Sequence, residues 1–167
     1  FCKPKSKTME TDNLNSIQDL IAEKEGGKVE FKQTTGQLER GMETLCAFLN
    51  GEGGTILFGV TDNGKIIGQE VSDKTKREIA EAIRLIEPFA TVTVSYAGIP
   101  DTNKQVIALY AEEQRYMRPF SYKGRAYQRI ESVTSVMPQD KYNHLLMQRG
   151  GKYSWEAMPN PDLQIND

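Results

Sequence analysis

The chain has 167 residues, 38% of them apolar and 26% charged, with a formal charge of −2, a balance that excludes a membrane span and argues against wholesale disorder. That length suits one domain with end pieces (an arm over 1–13, a domain over 14–150 and a linker or docking tail over 151–167). With no global basic excess, any polyanion site must be a local patch, and two cysteines, Cys2 and Cys46, cannot make a disulfide framework or a four-ligand zinc site on their own.

In chain order, Leu14, Ile17, Leu20 and Ile21 recur at helical spacing, with Asn13 or Asn15 as cap and Gly26-Gly27 as stop. Val29-Glu30-Phe31-Lys32 alternates, so Glu30 and Lys32 share one face of a short strand while Val29 and Phe31 enter the core. A stronger helix follows, with Leu38, Met42, Leu45, Cys46 and Leu49 on one stripe and Asn50-Gly51 as its stop. The apolar run 55–60 and Ile66-Ile67-Gly68, joined through Asp62-Asn63-Gly64, are expected to form a buried hairpin. Thr75 and Glu78 offer a capping box to a helix carrying Ile79, Ala82, Ile83 and Ile86, which Glu87-Pro88 ends.

The period then changes to two. Residues 91–96 and 105–110 read as paired strands around the turn Pro100-Asp101-Thr102-Asn103, and further strands are expected near Tyr122 and Ala126-Tyr127. Pro138 suits the first turn of a last helix in which Tyr142, Leu145 and Leu146 pack. This order predicts an α+β domain, with mixed, mainly antiparallel sheets and about four helices, rather than a doubly wound nucleotide fold. Residues 1–13 lack the pattern of a secretory signal, and with so few cysteines a cytoplasmic setting is expected. Starting at Phe1 and closing on a proline-containing stretch, the chain reads as a processed product or a fragment that continues beyond Asp167, with a dimer as the expected assembly.

Three groups of residues carry candidate chemistry. Glu25, Glu30 and Asp62 stand where three elements end; carboxylates brought together there would hold Mg²⁺ or Mn²⁺ and form a nuclease centre. The alternative is a solvated Glu25, a Glu30 paired with Lys32 or another cation, and an Asp62 serving turn geometry. Asn50-Gly51-Glu52-Gly53-Gly54 could bare N–H groups to a phosphate, yet it lacks Gly-Lys-Ser/Thr and leads into a strand, so a helix stop with close backbone approach is the simpler reading. Residues 114–130 hold five cations (Arg115, Arg118, Lys123, Arg125, Arg129), four aromatics (Tyr116, Phe120, Tyr122, Tyr127) and no acid. Strand alternation would put Lys123, Arg125 and Tyr127 on one face, a strip suited to a nucleic-acid backbone and to stacking on unpaired bases; an edge hairpin with solubilising cations is the alternative. His144, the sole histidine, supports no triad and is expected at the surface, and Trp155 is expected to anchor the tail.

The segments 25–32, 46–64, Ile67-Gly68, Pro119 and 127–134, in that order, resemble the Schlafen-type, AlbA-like DNA-binding domain family, once labelled a divergent AAA domain. The glutamate-phenylalanine-lysine strand and the alanine-phenylalanine-x-asparagine with its double glycine are the specific parts. The resemblance implies a nucleic-acid-binding domain of a bacterial transcriptional regulator; taken with the segregated charge, it makes Lys32, Arg115, Arg118, Lys123, Arg125, Tyr127 and Arg129 the expected contacts to DNA or RNA. Similarity to the animal Schlafens implies the alternative of an Mg- or Mn-dependent endoribonuclease on structured RNA such as tRNA, with Glu25, Glu30 and Asp62 as metal ligands and catalytic acids. A nucleotide-sensing or oligomerising module is a third expectation. Two departures stand out: Glu131 where the family usually has glycine, and Thr61 where two adjacent acids are common.

Overall fold

The computed structural model describes residues 14–23 and 27–157, without the side chains of 150–157. Its elements are α1 (14–22), β1 (Val29–Lys32), a 3-10 turn (Thr35–Gln37), α2 (Leu38–Leu49), β2 (Gly54–Phe58), α3 (Asp73–Arg84), β3 (Ile86–Glu87), β4 (Val92–Gly98), β5 (Gln105–Ala111), a second 3-10 turn (Arg115–Met117), β6 (Ser121–Tyr122), β7 (Arg125–Ile130), β8 (Val133–Val136) and α4 (Gln139–Ala157). One sheet has the order β1-β2-β5-β4 and the other β3-β6-β7-β8. This is the α+β class expected from the periodicities, with four helices and one parallel pair, β1–β2, whose crossover is α2.

The first sheet is covered on both faces. Ile17 of α1 packs with Val29, Phe31, Leu57, Val106 and Ala108 on one side. On the other, α2 and α3 pack Met42, Leu45, Phe48, Leu49 and Ile79 against Ile56, Phe58, Ile107 and Leu109. β2 is buried along its whole length because it has neighbours in the sheet on both edges and layers on both faces, which is why its sequence does not alternate. The helix stripe of α2 closes on Phe58 at Gly41, where a Cβ would lie 2.7 Å from the ring, so glycine lets helix and strand approach.

Five local expectations are corrected. Residues 66–68 do not form a strand beside β2; they are reduced to the bridge Val60–Ile66, because β1 and β5 already take both edges of β2. The capping box of α3 is Ser72 with Thr75, not Thr75 with Glu78, and the helix ends before Ile86, which enters β3 and is buried there. Leu146 is exposed, while Tyr142 and Leu145 pack against Ala126 and Met137. β8, which the period-2 reading missed, is a short and largely exposed edge strand with little alternation to detect.

The second sheet docks on the first through α2. Along β7, Tyr127 and Arg129 face α2, while Ala126 and Gln128 face α4. The helix α4 runs to Ala157, so its backbone passes the expected boundary at 150; the arm over 1–13, the tail over 158–167 and the side chain of Trp155 lie outside the described residues. Among the described residues no helix is long and apolar enough to cross a membrane.

Candidate nucleic-acid interface

Glu30 and Lys32 leave β1 on the same face, as the alternation requires, and their side chains pair at 3.0 Å. The other Glu30 oxygen accepts from Arg129 of β7, also at 3.0 Å, with Arg129 4% and Glu30 15% exposed. Arg129 further donates to Thr134 and lies over the Phe48 ring at 5.1 Å. Glu30 therefore joins the two sheets as a shared counter-ion.

That occupancy bears on the expected metal site. Both Glu30 oxygens are held by cations, and Asp62 is exposed in the turn after β2. Glu25 lies outside the described residues. No group of three His, Cys, Asp or Glu side chains among the described residues is placed to hold a metal ion. With Glu25 outside the described residues, Glu30 and Asp62 are the described members of the expected set, and each Glu30 oxygen already accepts one cation, from Lys32 and from Arg129.

The glycine-rich turn after α2 is a helix stop. The N–H groups of Gly51 and Gly53 both donate to the Phe48 carbonyl, at 3.0 and 2.9 Å, so neither is aimed at a ligand. Gly53 has φ +86, and a Cβ there would meet the Ala111 carbonyl at 2.6 Å; the residue must be glycine for backbone reasons. A cleft of about 270 Å³ opens beside this turn; of its cations, Lys28 pairs with Glu52 and Arg129 with Glu30, while Lys141 donates to the side-chain carbonyl of Gln128.

Asn50 is the residue whose role the motif did not disclose. Its Nδ2 donates to the carbonyls of Phe120 at 2.9 Å and Tyr127 at 2.8 Å, and its Oδ1 accepts from the Phe120 N–H at 2.6 Å. One buried amide thus satisfies three backbone groups of the segment leading into the second sheet. Cys46, one helical turn earlier, donates to the same Phe120 carbonyl, and burial pushes its thiol up to about 12, so it is a core residue as expected.

The seven side chains expected to contact nucleic acid are divided among separate environments, and Lys123, Arg125 and Tyr127 do not share one strand face. Lys123 is not in a strand; it opens the two-residue turn Lys123-Gly124 between β6 and β7, both with positive φ. Its ammonium reaches Glu39 at 2.7 Å, where the Tyr122 hydroxyl also donates at 2.8 Å. Those bonds, Lys123 first, hold the Glu39 carboxyl below its ordinary value, while burial and the Glu39 bond push the Tyr122 phenol up. Tyr127 is half-buried and leans on Glu43, one turn along α2. Arg125 shares the Tyr127 face of β7, is exposed and makes no ion pair among the described residues.

Arg115 and Arg118 stand elsewhere. Arg118 caps the far end of α2 by donating to the carbonyls of Asn50 at 3.2 Å and Gly51 at 3.4 Å, the end where the helix dipole favours a cation. Glu39 and Asn50 are eleven helical steps apart, so the anchors of Lys123 and Arg118 are separated by about 16 Å. Beside Arg118, exposed Arg115 pairs with Glu113 at 2.7 Å. Arg149 of α4, which the sequence reading did not single out, donates to the Met117 carbonyl at 2.8 Å. It lies four residues after Leu145, whose burial fixes the inward face of α4; that i,i+4 relation was the available signal. His144 is exposed, as expected.

The family described as Schlafen, AlbA_2 matches residues 25–138. No curated protein matches the sequence. Among solved structures, the DIP2311 protein from Corynebacterium diphtheriae is similar in fold, with a TM-score of 0.51 and 16% identity, over 72% of this chain and 24% of that one. The chain therefore spans about a quarter of the length of that protein. With a family match over more than half of its length and two α+β sheets joined through the expected motif, the chain belongs to the Schlafen AlbA_2 family.

Proposed function

We propose that this chain is a nucleic-acid-binding domain whose phosphate contacts are made by Arg118 and Arg125, and that in a larger transcriptional regulator it is the part that holds the polynucleotide. The observation that carries this reading is the state of Arg118: its guanidinium is held in place by the Asn50 and Gly51 carbonyls and makes no ion pair among the described residues. A carbonyl orients a guanidinium without cancelling its charge, so the cation remains available to a polyanion. Exposed Arg125 adds a second such charge, while the Arg115 charge is met by Glu113 at 2.7 Å. Lys32, Lys123 and Arg129 are assigned to fold stability, since each already faces a carboxylate.

Titration of labelled single-stranded and duplex DNA and RNA across a salt series tests the proposal. Affinity should fall linearly on a log–log plot as salt rises, with a slope set by the number of phosphates contacted, and Arg125→Gln should reduce that slope by about one contact. Absent or salt-insensitive binding would overturn it. In the nuclease alternative, Glu30 would take a metal ion beside the Lys32 and Arg129 cations that it already accepts.

A further inference from the structure

The first sheet ends on β1 at one side and on β4 at the other, and β4 has a neighbour, β5, along one edge alone. We infer that the open edge of β4 is the docking surface for a second copy of this chain, the two β4 strands running antiparallel so that the first sheets of both copies become one. This surface uses none of the cations assigned to nucleic acid, and it gives the expected dimer a joint.

Main-chain chemistry is the first argument. The Ile99 N–H turns inward to the Lys104 carbonyl, and Gln105, opposite Gly98, exchanges both of its main-chain bonds with Gln69 on the side away from β4. Antiparallel alternation then directs the N–H and C=O groups of Val92, Val94, Tyr96 and Gly98 outward, where none of them meets a hydrogen-bonding partner among the described residues. Such a row is a template for another strand, and chains that stay single blunt it with charge, proline, a bulge or brevity. The other outer strands are blunted: β1 carries Glu30 and Lys32, β3 has two residues and β8 four. By contrast β4 has seven residues with neither charge nor proline, and its register with β5 runs without a bulge.

Symmetry and charge select the occupant. With a twofold axis at Ser95, Val92 faces Gly98 of the copy and Val94 faces Tyr96 of the copy, so all four outward residues of each strand find partners. Lys76 lies over the Tyr96 ring at 5.1 Å, in the C-terminal half of the edge. Glu112 follows Ala111, the β5 partner of Val92, at the N-terminal end. Both are exposed, and neither is in an ion pair among the described residues. Antiparallel docking brings the Lys76 half of each copy to the Glu112 half of the other, whereas parallel docking would set like charges together. A copy supplies matching length, register and charge order at once.

Sedimentation of the whole chain and oxidative cross-linking with diamide test this, the latter in a Cys2→Ser background that leaves Cys46, which is buried. Ser95 faces its own copy in a non-hydrogen-bonded pair, where Cα atoms lie about 4.5 Å apart and within reach of a disulfide. Ser95→Cys should therefore give a covalent dimer, and Ser135→Cys, exposed on β8, should not. Ser95→Lys sets two ammonium groups opposite each other and should shift the equilibrium about tenfold toward monomer with circular dichroism unchanged. A chain that sediments as a monomer at all concentrations, a link through Ser135→Cys in place of Ser95→Cys, or a dimer indifferent to Ser95→Lys would overturn the β4 joint. Oligonucleotide titration reads the nucleic-acid proposal separately, so either can fail while the other stands.

Discussion

Lys123 and Arg129, at and beside β7, and Arg118, after the second 3-10 turn, come from one acid-free stretch, yet they end in different chemistry. Near β7, Lys123 meets Glu39 and Arg129 meets Glu30, so each positive charge is matched by an acid from a distant segment. At the turn, Arg118 and Arg149 meet carbonyls, which orient them and leave the charge in place. Absence of acids in a sequence window therefore says little about whether its cations are paired, because the pairing acids arrive through the fold from residues some 80 to 100 positions away. What separates a stabilising cation from a binding one is the nature of its acceptor.

The largest effect expected on the paired side is that of Arg129→Met, which leaves Glu30 with Lys32 alone in a mostly enclosed place and should lower stability by about 3–5 kcal/mol in urea unfolding. Adding Glu30→Gln should restore a good part of that loss, and a double variant no better than the single would break the counter-ion account. Next comes Asn50→Ala, which strips partners from the Phe120 N–H and carbonyl and the Tyr127 carbonyl and should cost about 2–3 kcal/mol. If the protein tolerates it without loss, the link between α2 and the second sheet is carried by something other than this amide.

Smaller and of opposite sign is Glu131→Gly. Glu131 has φ +55 in the β7–β8 turn, the left-handed region where glycine is unstrained, which explains the usual glycine at this place in the family. The substitution should stabilise by up to about 1 kcal/mol and, because it lies on the paired side, leave oligonucleotide affinity nearly unchanged. The smallest effect is on the acid limb of stability. Lys123 and Tyr122 hold Glu39 below its ordinary value of 4.5, so the unfolded chain binds that proton more readily. The resulting stabilisation is complete above 4.5 and is lost as pH falls through the lower folded value; Glu39→Gln should flatten that part of the curve.

Much of the frame was legible. Helical spacing located α2 and its stop, and alternation located β1, β4 and β5, because each of these elements has its inward face decided locally. The second half of the apparent hairpin at 66–68 was not legible, since strand propensity does not reveal that both edges of β2 are already taken by β1 and β5. The site was legible as composition and not as geometry. Arg115 and Arg118 could be singled out from the sequence, but their meeting with Arg149, thirty positions later on another helix, depends on how α4 packs over the turn. The buried exchange at Glu30 was half visible: the Lys32 partner follows from alternation, the Arg129 partner only from the docking of the second sheet.

Photo-crosslinking of a single strand carrying a halogenated uracil, followed by peptide mapping, addresses the division between the two regions most directly, since such a base reacts with the aromatic ring it lies on. Crosslinks within residues 114–118, weakened by Arg118→Gln, are the expected result. Crosslinks at Tyr122 or Tyr127 instead would place the polynucleotide on the acid-paired side and contradict the account.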